Sequence, residues 1–257
     1  MKIKAIFFDV DSTLTAGVGL PVVESAIEAI KQLQAKGIKV IIASGRMPYG
    51  IKAIEGKITP DYYIGANGQI VTDGKGNVIE MSVIDKETFD SITTYCRKRS
   101  LGLFWKFSDA CYIYSDFDTV ESISTTTSRL YSGENPDKSA LPTSGALISS
   151  EQEMLKIKEL YKDKLDVING GYILYDLDKK GMSKKDGLIA VGKELNISLD
   201  EMMAFGDSDN DIDMLKAAGL SVAMGNGNDN VKKVASYITD TASNDGIVKA
   251  LKKFEIL

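Results

Sequence analysis

The run Ile3 to Phe8 is apolar at every position except Lys4, and it ends on Asp9. A strand with apolar side chains at successive positions cannot keep one face in water. It must be covered on both faces, as inner strands of parallel sheets are. The next segment, PVVESAIEAIKQLQAKG, sets Val23, Ala26, Ile27, Ile30 and Leu33 on one helical face. Pro21 near its start and Gly37 at its end mark the boundaries. Strands are expected at Val40 to Ala43 and Tyr62 to Ile64. After residue 180 the rhythm returns, with a helix from Asp186 to Leu195, a strand from Met202 to Phe205 and a helix from Asn210 to Ala217. A strand from Ser221 to Met224 and two short helices complete it. Alternation of this kind reads as an α/β fold, a parallel sheet with helices on both faces.

The middle follows a different pattern. Two helix-like stretches, KETFDSITTYCRKR and EQEMLKIKELYKDKL, are interspersed with short aromatic-rich strands at Leu103 to Phe107, Tyr112 to Tyr114 and Tyr172 to Leu177. The polar segment SISTTTSRLYSGENPDKSALPTSG reads as a loop or irregular connection. The expected organisation is an α+β module over residues 83–178 inserted into an α/β domain formed by 1–82 and 179–257. Of the inserted residues, Trp105, Lys106, Tyr112, Tyr114 and Tyr175 could contact a ligand, although sheet packing is the commoner role for aromatics.

Composition narrows the function. Of 257 residues 31 are basic and 36 acidic, a net charge of −5, which lacks the basic footprint of nucleic-acid binding. No apolar run approaches the roughly 20 residues of a membrane span, and Asp9 interrupts the N-terminal run before it could serve as a signal peptide. Two cysteines, Cys96 and Cys111, form no disulfide framework, so a cytoplasmic location is expected. There is no histidine. Ser-His-Asp hydrolysis, histidine phosphotransfer and His-ligated zinc are thereby excluded, which leaves carboxylates, hydroxyls, lysines and a hard metal.

Those residue types collect where the strands end, and ligands of open α/β sheets bind outside the carboxyl ends of the strands. The first strand runs into Asp9-Val10-Asp11-Ser12-Thr13 and the second into Ser44-Gly45-Arg46. The strand MMAF runs into Gly206-Asp207-Ser208-Asp209-Asn210-Asp211, and SVAM into Gly225-Asn226. Gly181-Met182-Ser183-Lys184-Lys185 leads into a helix. Carboxylates, a hydroxyl, a lysine and glycine-freed amides on one rim suit a phosphate and a divalent cation. Two carboxylates ~4 Å apart at an effective dielectric of ~20 repel by roughly 4 kcal/mol. Asp9, Asp11, Asp207 and Asp211 together therefore need a counter-charge, and an all-oxygen donor set favours Mg²⁺.

Other motifs fail. Asp207, Asp209 and Asp211 match the first ligands of a calcium loop, but Ile212 and Ala218 stand where it needs Gly and Glu. Gly187 to Lys193 starts like a P-loop, but Glu194 replaces the hydroxyl residue. Gly225-Asn226-Gly227 lacks the third glycine of a dinucleotide fingerprint, with Asn230 in its place.

DVDST at 9–13, SGR at 44–46, Lys184 and GDSDND at 206–211 together resemble the haloacid dehalogenase superfamily of phosphatases. The resemblance implies a Rossmann-like core with an inserted cap. It makes Asp9 the nucleophile that forms an aspartyl-phosphate, and Asp11 the acid and then the base. Ser44, Gly45, Lys184 and Asn210 would serve the phosphate. Mg²⁺ would be held by Asp9, the Asp11 carbonyl and Asp207, with Asp211 in support. Between Asp9 and Ser44 there is room for one helix only, so the insert falls between the second and third motifs. That placement is similar to the Cof-type (subclass IIB) sugar-phosphate phosphatases, as are Asn67-Gly68 and the ending AMGNGNDNVKKVASYITDTASNDGI. Ser12 departs from that type, which usually carries glycine there. The implied function is Mg²⁺-dependent hydrolysis of a small phosphate ester, with sugar phosphates the implied substrate class; a phosphomannomutase-type mutase and a non-catalytic phosphate binder are the alternatives.

Overall fold

The computed structural model describes residues 2–124 and 127–257. Two residues of the polar segment, Thr125 and Thr126, lie outside them. The chain opens with β1 (Ala5–Phe8), α1 (Glu24–Ala35), β2 (Lys39–Ala43), β3 (Tyr62–Gly65), β4 (Ile70–Asp73) and β5 (Val78–Met81). It continues through α2 (Lys86–Arg99), β6 (Gly102–Lys106), β7 (Cys111–Ser115), α3 (Phe117–Ile123), β8 (Leu130–Ser132), β9 (Ser144–Ile148), α4 (Glu151–Leu160), β10 (Leu165–Gly171) and β11 (Leu174–Lys179). It closes with α5 (Lys184–Leu195), β12 (Met202–Gly206), α6 (Ile212–Ala217), β13 (Leu220–Ala223), α7 (Asp229–Val234), β14 (Tyr237–Ile238) and α8 (Gly246–Lys253). These elements form two compact units, Met1–Glu80 with Ser183–Leu257, and Met81–Met182.

The first unit is built on an eight-stranded sheet in the order β14-β13-β12-β1-β2-β3-β4-β5. Pairings from β14 through to β3 are parallel. β4 is a strand not foreseen from the sequence, and the β3–β4 pairing is antiparallel. Its cause is the connection: only Ala66 to Gln69 separates the two strands, far too short for a crossover. β1 alternates between two cores, sending Ile6 and Phe8 to the side of Ile30, Leu33 and Leu251, and Ala5 and Phe7 to the side of Leu188, Val191 and Leu215. This explains its unbroken apolar run. Phe8 stacks on Phe205 of β12 with ring centroids 5.1 Å apart. The chain leaves β1 toward β2 on one side and returns through β12 on the other. The order therefore switches between β1 and β12, the place where α/β sheets open a crevice for ligands.

The second unit has a six-stranded sheet, β10-β11-β9-β6-β7-β8. Helix α2 covers the whole of KETFDSITTYCRKR and is capped by Asp85, whose side chain accepts from the Thr88 amide. Helix α4 stops at Leu160, short of the expected stretch. β9 lies at the end of the segment read as a loop, and β8 and the close of α3 also fall within it. Trp105, Tyr114 and Tyr175 pack in this unit's core with Leu103, Leu147 and Leu177, so three of the five ligand candidates there are packing residues. No helix among the described residues is long and apolar enough to cross a membrane.

Phe8→Ala removes a fully buried ring from the first core. It should cost about 3–5 kcal/mol, measured as a lowered urea midpoint with an unchanged denaturant slope.

Candidate active site

Each candidate side chain sits just past a strand end or at a helix start. Asp9 follows β1, Ser44 follows β2, Asp207 follows β12 and Lys184 is the first residue of α5. The start of α5 is fixed by Ser183, whose amide donates to the Asp186 carboxylate at 2.8 Å. Placing an ammonium at the positive end of a helix dipole is unfavourable by itself. Here two carboxylates offset it. Lys184 Nζ donates to Asp9 Oδ1 and Asp211 Oδ1, both at 2.6 Å, and the lysine is completely buried.

Asp211 is equally enclosed and heavily used. Its Oδ2 accepts the amides of Asp207 (2.9 Å) and Ser208 (3.1 Å), so it shapes the loop after β12 as well as holding Lys184. A Cβ on Gly206 would lie 2.5 Å from Asp211 Cβ, and glycine is needed there for close approach. Asp207 accepts from Thr13 Oγ1 at 3.2 Å, which ties the loops after β1 and β12 together.

Asp9, Asp207 and Asp211 each bring a carboxylate oxygen within 4.8 Å of the others. One ammonium faces three carboxylates, and the protonation balance reflects that. Although burial pulls the Lys184 ammonium down, Asp211 and Asp9 hold it above the ordinary lysine range. Burial pushes Asp9 well above the usual carboxylate range against the pull of Lys184. Burial, then Asp211, raises Asp207 to about 6. An enclosed, all-oxygen cluster with surplus negative charge fits a hard divalent cation such as Mg²⁺.

Asp11 faces elsewhere. Its carboxylate takes a two-pronged contact from Arg46, with Nε 3.0 Å from Oδ2 and Nη2 3.1 Å from Oδ1. The next residue, Ser12, adopts a left-handed conformation (φ 65°, ψ 3°), the region that favours glycine. Asn226 Nδ2 holds the Ser12 carbonyl at 2.7 Å, and the Ser12 amide donates to Thr15 Oγ1 at 3.1 Å. Turn geometry thus explains why glycine is usual at this position. It also shows what serine must tolerate in its place.

Around Ser44, the Arg46 amide donates to Ser44 Oγ at 3.1 Å, and the Asn67 amide to the Ser44 carbonyl at 3.2 Å. Gly45 leaves room for Asn67, whose Oδ1 would be 3.1 Å from a Cβ at 45. Asn210 donates to that same oxygen at 3.1 Å. Ala66, Asn67 and Gly68 all have positive φ. Three supporting contacts were not foreseen: Arg46 on Asp11, Thr13 on Asp207 and Asn226 on Ser12. The SGR and DVDST runs contained the first two residues, but nothing in one dimension pairs positions 35 or 194 residues apart.

This geometry agrees with the comparisons to known proteins. A model of the haloacid dehalogenase-like hydrolase family matches residues 6–251. The 5-amino-6-(5-phospho-D-ribitylamino)uracil phosphatase YcsE of Bacillus subtilis (strain 168) is 29% identical over 258 residues, spanning 98% of this chain and 96% of that one. BT1666 from Bacteroides thetaiotaomicron, one of the phosphatases of the superfamily, has a TM-score of 0.86 at 29% identity, covering 100% of this chain and 96% of its own. The subclass IIB sugar phosphatase BT4131 gives 0.84 at 28% identity, covering 99% and 100%. The chain belongs to the haloacid dehalogenase-like hydrolases, as a phosphatase of that superfamily.

Two outcomes follow. Lys184→Met strands two buried carboxylates and should destabilise the protein by about 3–5 kcal/mol near neutral pH. Asp207 binds a proton more tightly folded than unfolded, so its contribution to stability is lost as pH rises from 3.8 through about 6. In chelator, the stability advantage of Asp207→Asn over wild type should therefore grow across that window, as read from urea midpoints.

Proposed function

We propose that the protein is a Mg²⁺-dependent phosphomonoesterase working through an aspartyl-phosphate on Asp9. The observation that carries this reading is the cluster of Asp9, Asp207 and Asp211 around a single buried ammonium at the sheet's switch point. Asp9 and Asp207 would hold the cation together with main-chain oxygen at Asp11. Asp211 contributes charge while its own oxygens hold Lys184 and two amides. When bound, the cation supplies positive charge against the phosphoryl oxygens and the attacking carboxylate.

The chain's own groups do the rest. Asp9 Oδ attacks phosphorus and forms the new P–O bond, while the bond to the leaving oxygen breaks and its electron pair stays on that oxygen. Asp11 donates a proton to the leaving oxygen, which departs as an alcohol. Asp11 then takes a proton from water as that water attacks the aspartyl-phosphate, releasing inorganic phosphate and restoring Asp9. Ser44 Oγ, the Gly45 amide and Lys184 would hold phosphoryl oxygens, while Asn210 donates to Asn67 and braces that loop.

The substrate class we infer is a small phosphorylated polyol or sugar. Support comes from BT4131, a sugar phosphatase, and from YcsE, which acts on a phosphoribityl compound. Choice among such esters is assigned to the inserted unit, read as the cap domain.

Asp9→Asn should lower turnover of a sugar phosphate at least about a thousandfold, and acid quenching during turnover should trap phosphate on Asp9 in the wild type. Surviving activity in Asp9→Asn overturns the mechanism. Because Asp207 and Asp9 must both give up protons to bind metal, Mg²⁺ affinity should fall at least about tenfold between pH 7 and pH 5, measured by calorimetric titration.

A further inference from the structure

Arg46 holds an unusual position relative to the chemistry proposed for Asp11. Its main chain is fixed on both sides: the amide donates to Ser44 Oγ, and the carbonyl accepts from the Ala66 amide at 3.0 Å. A Cβ on Gly65 would lie 3.0 Å from that carbonyl and 2.5 Å from Pro48, so the loop has little slack. Asp11 lies between two anchored points, Asp9, whose amide donates to the Phe205 carbonyl at 3.1 Å, and the left-handed turn at Ser12 that Asn226 clasps. Two anchored loops, those after β1 and β2, thus meet at a bidentate guanidinium–carboxylate pair. The pair is partly open to solvent, 38% for Arg46 and 25% for Asp11, so little of its value is stability. Its geometric value is larger, because a planar fork fixes the plane and direction of the carboxylate it grips.

We propose that Arg46 is a positioning residue for Asp11, orienting its carboxyl group for proton transfer at the leaving oxygen. The inference rests on the reading of Asp11 as the acid and base. A guanidinium has no transferable proton at working pH, so Arg46 cannot itself be the acid. With Nε on Oδ2 and Nη2 on Oδ1, the fork sets where Asp11 presents its carboxyl group to the leaving oxygen. A charge contact that merely bound phosphate would serve every ester alike. An orienting contact serves those whose leaving oxygen needs a proton.

The test compares kcat/KM, which reports steps through the first P–O cleavage, for an alkyl phosphate and for p-nitrophenyl phosphate at saturating Mg²⁺. Nitrophenolate leaves without help, so the aryl ester also confirms that each variant is folded. Arg46→Ala should lower kcat/KM for the alkyl ester about 10- to 100-fold more than for the aryl ester. Arg46→Lys keeps the charge but not the fork and should recover little of that difference. In an Asp11→Asn background, Arg46→Ala should add no leaving-group-dependent loss. Equal losses on both esters, or full recovery by lysine, overturn the proposal. If Asp11→Asn discriminates between the esters and Arg46→Ala does not, only this inference falls. If Asp11→Asn fails to discriminate, the assigned role of Asp11 falls and this inference falls with it.

Discussion

The site depends on one enclosed ion pair network, Lys184 between Asp9 and Asp211. A lysine taken fully out of water needs compensation on every side, and it obtains it from two loops that belong to different halves of the sequence. The lysine is therefore as much a structural tie as a source of charge. It draws the start of α5 to the end of β1 and to the turn before α6. Asp211 extends the tie by holding the two amides of the Asp207 loop. The result is a frame that keeps carboxylates close together although they repel, which is the condition a hard cation requires.

Much of the first unit was legible from sequence because burial on both faces leaves a mark no other environment leaves. β1 had to be central, and the polar residues that follow such strands had to lie on one rim. The type and order of DVDST, SGR, Lys184 and GDSDND then narrowed the chemistry. Less legible were features whose cause is local geometry. The antiparallel β4 follows from a connection of only four residues, and the period of apolar residues carries no sign of strand direction. In the second unit, β9 was hidden because Ser144-Gly145-Ala146 is small and polar in composition, although all five of its residues are buried. Gly145 is required there because the Trp105 ring lies against it, with Cε3 2.5 Å from where a Cβ would be.

Side-chain partnerships were the least legible part of the site. Lys184 stands beside Lys185, and composition alone cannot rank them. The fold does, because only position 184 at the first turn of α5 reaches the carboxylates. Likewise Ser12 looked like a departure of identity. It is one, and its cost is conformational: a side chain stands where the backbone turns left-handed, the region that favours glycine, in a turn held by Asn226 and Thr15.

The turn after β3 limits how such a scaffold can diversify. A side chain at Gly68 would run into the Ser183 carbonyl at 1.9 Å, on the backbone that launches Lys184. Position 68 can therefore accept no other residue without displacing the helix that carries the buried lysine. A lineage adapting this chain to a new ester has to leave that turn alone and draw its variation from elsewhere.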